Sequence, residues 1–314
     1  MEGQAAAEGI PARSDAVAAM IRAMLRFATV LAALAASAAI CTAQGVERDV
    51  AYGPDPLQRL DLSLPAGRGF PTVIFVHGGS LTSGDKGDAD YGEVCTAFPA
   101  AGIGCANVNY RLAPAHRWPA PAEDVAAAVA WVRANIGARG GDPHHLFLLG
   151  HSSGAMLVAL VATDAHYLAQ HELTTGDVRG VLPMGSIMWD DELEQALGQY
   201  GRQRVEAAFA RDEDGRNFGT LDAYQDHWPI RHVRAGLPPF LFLIADSERV
   251  HPPVLKTDST FAARARALGN RAEYQVLPGR THYRAIRELS EPGDSVFAIV
   301  RDFVSAQTSA APRP

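Results

Sequence analysis

Cysteine is scarce in this chain: three among 314 residues, at Cys41, Cys95 and Cys105. So few exclude a disulfide-built scaffold and a zinc ribbon. Basic tracts are missing too, and the formal charge is -7, so nothing in the charge pattern points to nucleic acid. No apolar run is long enough to cross a bilayer comfortably. The stretch from Phe27 to Ile40 offers about 14 residues, where a spanning helix needs about 20. Internal repeats and long linkers are also lacking. What remains is 47% hydrophobic and 20% charged, the composition of one large globular α/β domain.

The N-terminus has the layout of a signal peptide over residues 1–43. Arg22 and Arg26 precede the apolar stretch, which ends in small residues near Cys41-Thr42-Ala43. Glu2, Glu8 and Asp15 are foreign to a signal n-region, so translation is expected to start at Met20 or Met24. Ile40 is a poor residue before a lipidated Cys41, which argues against a lipoprotein. The expectation is a secreted or periplasmic protein with no stable membrane anchor after cleavage. Cys95 and Cys105 then remain and read as two small buried thiols. A disulfide is the alternative, since a helix and the strand after it bring such positions near each other.

Residues 44–314 alternate strand and helix patterns. Val46 to Tyr52 and Arg59 to Leu64 predict an antiparallel hairpin with one solvated face. Thr72 to Val76 and Leu237 to Ala245 read as buried strands, and Cys105 to Tyr110, Leu146 to Leu149, Val178 to Met184 and Tyr274 to Leu277 as further strands. Asp90 to Ala101, Ala122 to Ile136, Ala155 to Ala162, Thr260 to Leu268 and Phe297 to Val304 read as helices. This rhythm predicts a mostly parallel central sheet with helices on both faces. Residues 186–226 are too long for a plain loop and read as a cap or lid insertion, with a merely decorative surface insertion as the alternative.

Gly150-His151-Ser152-Ser153-Gly154 sits between a predicted strand and a predicted helix. That is the G-x-S-x-G pattern in the strand–turn–helix setting of a nucleophile elbow. Ser152 must occupy a strained turn, and the flanking glycines let strand and helix approach closely. A serine hydroxyl needs a base, and the base needs an acid to orient it. His282 lies just past the last predicted strand, whereas His166, His171, His227, His232 and His251 do not. Two carboxylates, Asp246 and Glu248, follow the strand ending at Ala245, and their spacing alone cannot choose between them. An oxyanion needs convergent N–H groups. Ser153 supplies one, and the turn Gly78-Gly79-Ser80 supplies the other. His77 reads as a fixture of that turn, His151 as packing, and His144-His145 as unsuited to chelation. No metal and no cofactor are expected.

Together His77-Gly78-Gly79, Tyr110-Arg111-Leu112-Ala113-Pro114, Gly150 to Gly154 and Pro278-Gly279-Arg280-Thr281-His282 resemble the α/β-hydrolase superfamily. The likeness is to its carboxylesterase branch, similar to the hormone-sensitive-lipase-like and feruloyl-esterase-like enzymes. It runs from about Val46 to Val304 and is weakest across 186–226. In that family the catalytic acid lies three residues past the strand opened by Pro-Pro. Pro238-Pro239 leads to Ala245, so the resemblance implies Glu248 as the acid, where most relatives carry Asp, with Asp246 as the alternative. Ser80 replaces the third glycine of the usual H-G-G-G, and Ser153 replaces the usual Ala. The resemblance further implies Arg111 and Asp124 as scaffold, and Gly79, Ser80 and Ser153 as oxyanion donors.

The implied activity is two-step hydrolysis of short- to medium-chain esters, with a small-molecule ester as partner and the oligomeric state left open. An arylformamidase-like amidase and a non-catalytic binding module on the same fold are the rivals.

Overall fold

The computed structural model describes residues 45–250 and 253–310. The signal-peptide reading over 1–43 and residue Cys41 lie outside the described residues. Eight strands form one sheet: β1 (Gly45–Ala51), β2 (Arg59–Leu64), β3 (Phe70–Val76), β4 (Gly104–Val108), β5 (Gly141–His151), β6 (Val178–Met184), β7 (Phe240–Ala245) and β8 (Ala272–Leu277). Their spatial order is β1-β2-β4-β3-β5-β6-β7-β8. β1 runs antiparallel to β2 and β2 antiparallel to β4. All other neighbours are parallel.

Alternation along the strands sorts the apolar side chains into two cores. Ile74, Val76, Leu146, Leu148, Val181 and Phe242 face one layer. Val73, Phe75, Phe147, Leu149, Leu182 and Leu243 face the other. Both layers are covered, which is why the inner strands read as unbroken apolar runs. On the first face lie α1 (Ala120–Asn135) and α2 (Ser153–Thr163), with the short α3 (Ala165–Ala169) beside them. Between β6 and β7 the chain forms α4 (Asp191–Tyr200), α5 (Arg202–Phe209), α6 (Glu213–Phe218) and α7 (Leu221–Asp226). α8 (Val254–Ala267) covers β7 and β8 on the first face through Phe261 and Ala265. α9 (His282–Arg287) follows β8. α10 (Ser295–Ser309) closes the second face through Phe297, Val300 and Val304.

Three expectations need correction. Asp90 to Ala101 is no helix but a run of turns ending in a 3-10 turn at Pro99–Ala101. Gly92 favours helix poorly, and Pro99 has no N–H to donate back to residue 95. Cys95 and Cys105 are not free thiols: they form a disulfide, with Cα atoms 5.4 Å apart. The turns lay Cys95 directly over β4, within bridging range. The first hairpin does not show one solvated face. β1 is the sheet's edge and almost wholly exposed, whereas β2 is buried between β1 and β4.

Because β3, β5, β6, β7 and β8 are parallel, their carboxyl ends share one rim of the sheet. The loops starting at His77, Ser152, Gly185, Asp246 and Pro278 are thereby gathered there, where open α/β sheets hold their sites.

Candidate active site

Ser152 stands between β5 and α2 with φ 53° and ψ -129°, a conformation few non-glycine residues adopt. The turn is pinned from both sides. Ser152 N–H donates to the carbonyl of Met184 at 2.9 Å, and Ser152 C=O accepts from Ala155 N–H at 2.8 Å. The two glycines of the motif are steric necessities. A Cβ on Gly150 would meet the Gly154 carbonyl oxygen at 2.2 Å, and one on Gly154 would meet that of Val76 at 2.2 Å. α2 begins at the next residue, so its positive end faces the serine.

His282 opens α9, and its Nδ1 contacts the Glu248 carboxylate at hydrogen-bond distance. Glu248 is buried, and its Oε2 accepts from Ala245 N–H at 3.0 Å. Asp246 takes a different environment. It is exposed, lies 3.5 Å from Arg249 and accepts from Gly279 N–H at 3.5 Å. The 3-10 turn Asp246–Glu248 sends the first carboxylate outward and the second inward. So of the two candidate acids, Glu248 is brought to His282 and Asp246 is not. The two loops are joined by Ser247 N–H donating to Arg280 C=O at 3.2 Å. Arg280 in turn is held by Glu288 and, at 2.6 Å, by Asp294.

Gly185, directly after β6, was not singled out from sequence. Its φ is +70°, and a Cβ there would stand 2.9 Å from Glu248 Oε1 and 3.0 Å from His282 Nδ1. A positive-φ glycine closing a buried strand is the local signal that could have found it.

His151 does more than pack. Its Nε2 lies 3.1 Å from the His282 carbonyl oxygen, its Nδ1 lies 3.1 Å from Tyr91 Oη, and its ring centre sits 4.3 Å from that of His282. Burial, then the nearby His282, pushes its pKa down to about 3, so the ring is neutral. A carbonyl only accepts, so the proton sits on Nε2 and Tyr91 donates to Nδ1. A chain of hydrogen bonds thus runs from Tyr91 through His151 to the backbone of His282.

In that turn, Gly79, Ser80 and Leu81 all have positive φ, at 121°, 54° and 63°. The Gly79 carbonyl accepts from Thr82 and Ser83 N–H, and Leu81 N–H donates to Ser153 Oγ at 3.4 Å. The N–H groups of Gly79, Ser80 and Ser153 have no acceptor among the described residues. A Cβ on Gly78 would stand 2.7 Å from Ser152 Cβ, so the turn lies against the elbow. His77 is buried, its Nδ1 is 2.7 Å from the Gly78 carbonyl oxygen, and its ring stacks on Tyr110. Burial pushes its pKa down. Arg111 grips the buried Asp124 through several hydrogen bonds, the shortest 2.7 Å.

His166, His232 and His145 have partners of their own. His166 contacts Gln170, His232 contacts Asp164 and Asp226, and His145 contacts Asp142. His251 lies outside the described residues. Among the described residues no group of three His, Cys, Asp or Glu side chains could hold a metal ion.

Two pockets meet at Ser152. One, of about 430 Å³, is lined by His282, Glu248, Ser247 and Gly185. The other, of about 220 Å³, is lined by Ser80 and Ser153 on the sheet side and by Asp214, Phe218, Tyr224, His227 and Trp228 from the segment between β6 and β7. The residues at 191–226 therefore supply part of the wall beside the serine.

A family model described as the α/β-hydrolase fold matches residues 73–285. Esterase LipC of Mycobacterium tuberculosis is 32% identical over 273 residues, covering 80% of this chain and 63% of that protein. Gibberellin receptor GID1 of rice is 32% identical over 200 residues, covering 63% of this chain and 48% of the receptor. The chain thus spans between about half and two thirds of the length of these curated relatives. Among solved structures, the thermophilic esterase Est2 of Thermogutta terrifontis superposes with a TM-score of 0.66 at 21% identity, covering 87% of this chain and 96% of that one.

Proposed function

Because the chain belongs to the α/β-hydrolase fold family, we propose that it is a serine carboxylesterase acting on short- to medium-chain esters through Ser152, His282 and Glu248. The observation that carries the reading is the Glu248–His282 contact in the pocket that Ser152 also lines. With Nδ1 turned to Glu248, Nε2 is the nitrogen left to take the Ser152 proton. The Ser152 oxygen then attacks the ester carbonyl carbon, and the negative charge that moves onto the carbonyl oxygen is met by the N–H groups of Gly79, Ser80 and Ser153 and by the positive end of α2. His282 passes the proton to the departing alcohol. A water deprotonated by His282 then releases the acid from Ser152. Glu248 orients the ring and stabilises the imidazolium.

The test is hydrolysis of a p-nitrophenyl ester series by the wild type beside Ser152→Ala. Turnover of acetate or butyrate that disappears in Ser152→Ala supports the esterase. Activity on N-formyl aromatic amines alone moves the assignment to an amidase. A folded protein silent on both supports a binding role, the reading favoured by the similarity to a protein named as a receptor. We also propose that the protein is exported. The Cys95–Cys105 disulfide supports this, since such bonds persist in oxidising compartments.

A further inference from the structure

The smaller pocket beside Ser152 has a chemistry that the esterase reading does not use. It contains Ser80 and Ser153, the proposed oxyanion side, and not His282. In acyl transfer the alcohol leaves toward the histidine that protonates it. The acyl group therefore lies in the smaller pocket. At about 220 Å³ it is below the ~300–1,000 Å³ of sites for drug-sized ligands, so it suits a short acyl chain.

Its far wall is aromatic. Phe218, Tyr224, His227 and Trp228 pack with ring centres between 4.0 and 5.6 Å apart. His227 brings no positive charge, since burial pushes its pKa down to about 3. On the same wall stands the half-buried carboxylate of Asp214. Burial raises its pKa, and so do the charges of Asp212, Asp190 and Glu213. Those neighbouring carboxylates make the field around it negative. Tyr224 Oη donates to Asp190 at 3.0 Å. Among the described residues no Lys, Arg or His forms an ion pair with Asp190 or Asp214. Aromatic faces beside an unneutralised carboxylate attract a cation by ring quadrupole and by charge together.

We propose that this pocket selects acyl groups carrying an ammonium group, so that the preferred substrates are esters of short cationic acids, with Asp214 as the specificity-determining residue. The proposal rests on the esterase reading above.

The experiment compares two p-nitrophenyl esters of equal shape. One is the ester of γ-(trimethylammonio)butyric acid. The other is its carbon isostere, in which a quaternary carbon replaces the nitrogen. The ratio of their kcat/KM values on one protein sample cancels differences in folded fraction. Wild type should favour the cationic ester by about tenfold or more, and Asp214→Asn should bring the ratio close to one. Asp222→Asn, which removes an exposed carboxylate paired with Arg202, should leave the ratio as in wild type. A wild-type preference for the neutral ester, or a ratio unmoved by Asp214→Asn, overturns the proposal. The two levels of failure separate cleanly. Loss of the esterase reading appears as no Ser152-dependent hydrolysis of p-nitrophenyl acetate. Acetate hydrolysis that depends on Ser152, without a cation preference, defeats only the acyl-group assignment.

Discussion

Replacing Gly185 by alanine should abolish the proposed esterase activity out of proportion to the stability it costs. The backbone there has φ +70°, so any L residue pays about 1–2 kcal/mol for the left-handed conformation. A folded domain has ~5–15 kcal/mol of stability, so the variant should fold. The added methyl would stand 2.9 Å from Glu248 Oε1, 3.2 Å from Glu248 Oε2 and 3.0 Å from His282 Nδ1. Those are several tenths of an ångström inside ordinary contact, about 3.5 Å or more. Glu248 has nowhere to retreat, being buried with Oε2 held by Ala245 N–H. The imidazole must therefore tilt, and the Glu248–His282 contact opens. Misplacement of a reacting group by about an ångström costs ~10²-fold, and full loss of the acid's orientation costs up to ~10⁴-fold. We expect kcat on p-nitrophenyl butyrate to fall between those limits. Gly236→Ala is the control: its φ is +81°, and a Cβ there meets nothing within 4 Å. It should lose similar stability in a urea titration while keeping wild-type kcat. If Gly185→Ala keeps kcat within about threefold of Gly236→Ala, the assignment of the Glu248–His282 pair as catalytic machinery is refuted.

Glu248→Gln should lower kcat/KM by ~10²-fold or more, while Asp246→Asn should change it less than about twofold, its carboxylate being exposed beside Arg249. Equal losses in the two variants would contradict the orientation of that turn. His151→Phe deprives both Tyr91 Oη and the His282 carbonyl of a partner. Losing two buried hydrogen bonds should cost ~1–3 kcal/mol apiece in urea unfolding. It should also lower kcat more than it alters KM, whereas unchanged kcat would reduce His151 to packing. Stability should fall as the solution is acidified below the ordinary histidine pKa of about 6.5. His151 and His227 have folded pKa values near 3, so between those limits the unfolded chain binds more protons. Each contributes a slope of up to ~1.4 kcal/mol per pH unit. His227→Phe should flatten the dependence of the urea midpoint on pH across that window, and an unaltered slope would mean that the ring is not held neutral.

Residues that answer to a backbone constraint were readable in the chain, and those that act by proximity were not. Ser152 and its two glycines are demanded by a local turn between a strand and a helix, in which a Cβ on Gly150 would meet Gly154. The strands from β3 to β7 were visible because burial on both faces leaves largely apolar runs. The same apolar signal misled at 90–101. Tyr91, Val94, Cys95 and Phe98 recur at helical spacing and are indeed buried, but turns bury them as well as a helix would. Periodicity reports which side chains face the core before it reports the backbone that carries them. That turn path brings Cys95 to Cys105, with their Cα atoms 5.4 Å apart.

Choosing Glu248 over Asp246 needed the three-residue turn after β7, which no spacing argument contains. Gly185 and His151 act on His282 from residues 97 and 131 positions away in sequence, brought close only because parallel strands end on one rim. The aromatic and acidic wall from α6, α7 and the residues after them is of the same kind. Its residues Asp214, Phe218, Tyr224, His227 and Trp228 look in sequence like an irregular surface stretch. They acquire a chemical meaning only from the direction in which two short helices and the residues after them turn them, toward Ser152. Specificity is therefore the part of this molecule that the sequence conceals best: it depends on the placement of side chains that the fold itself does not require.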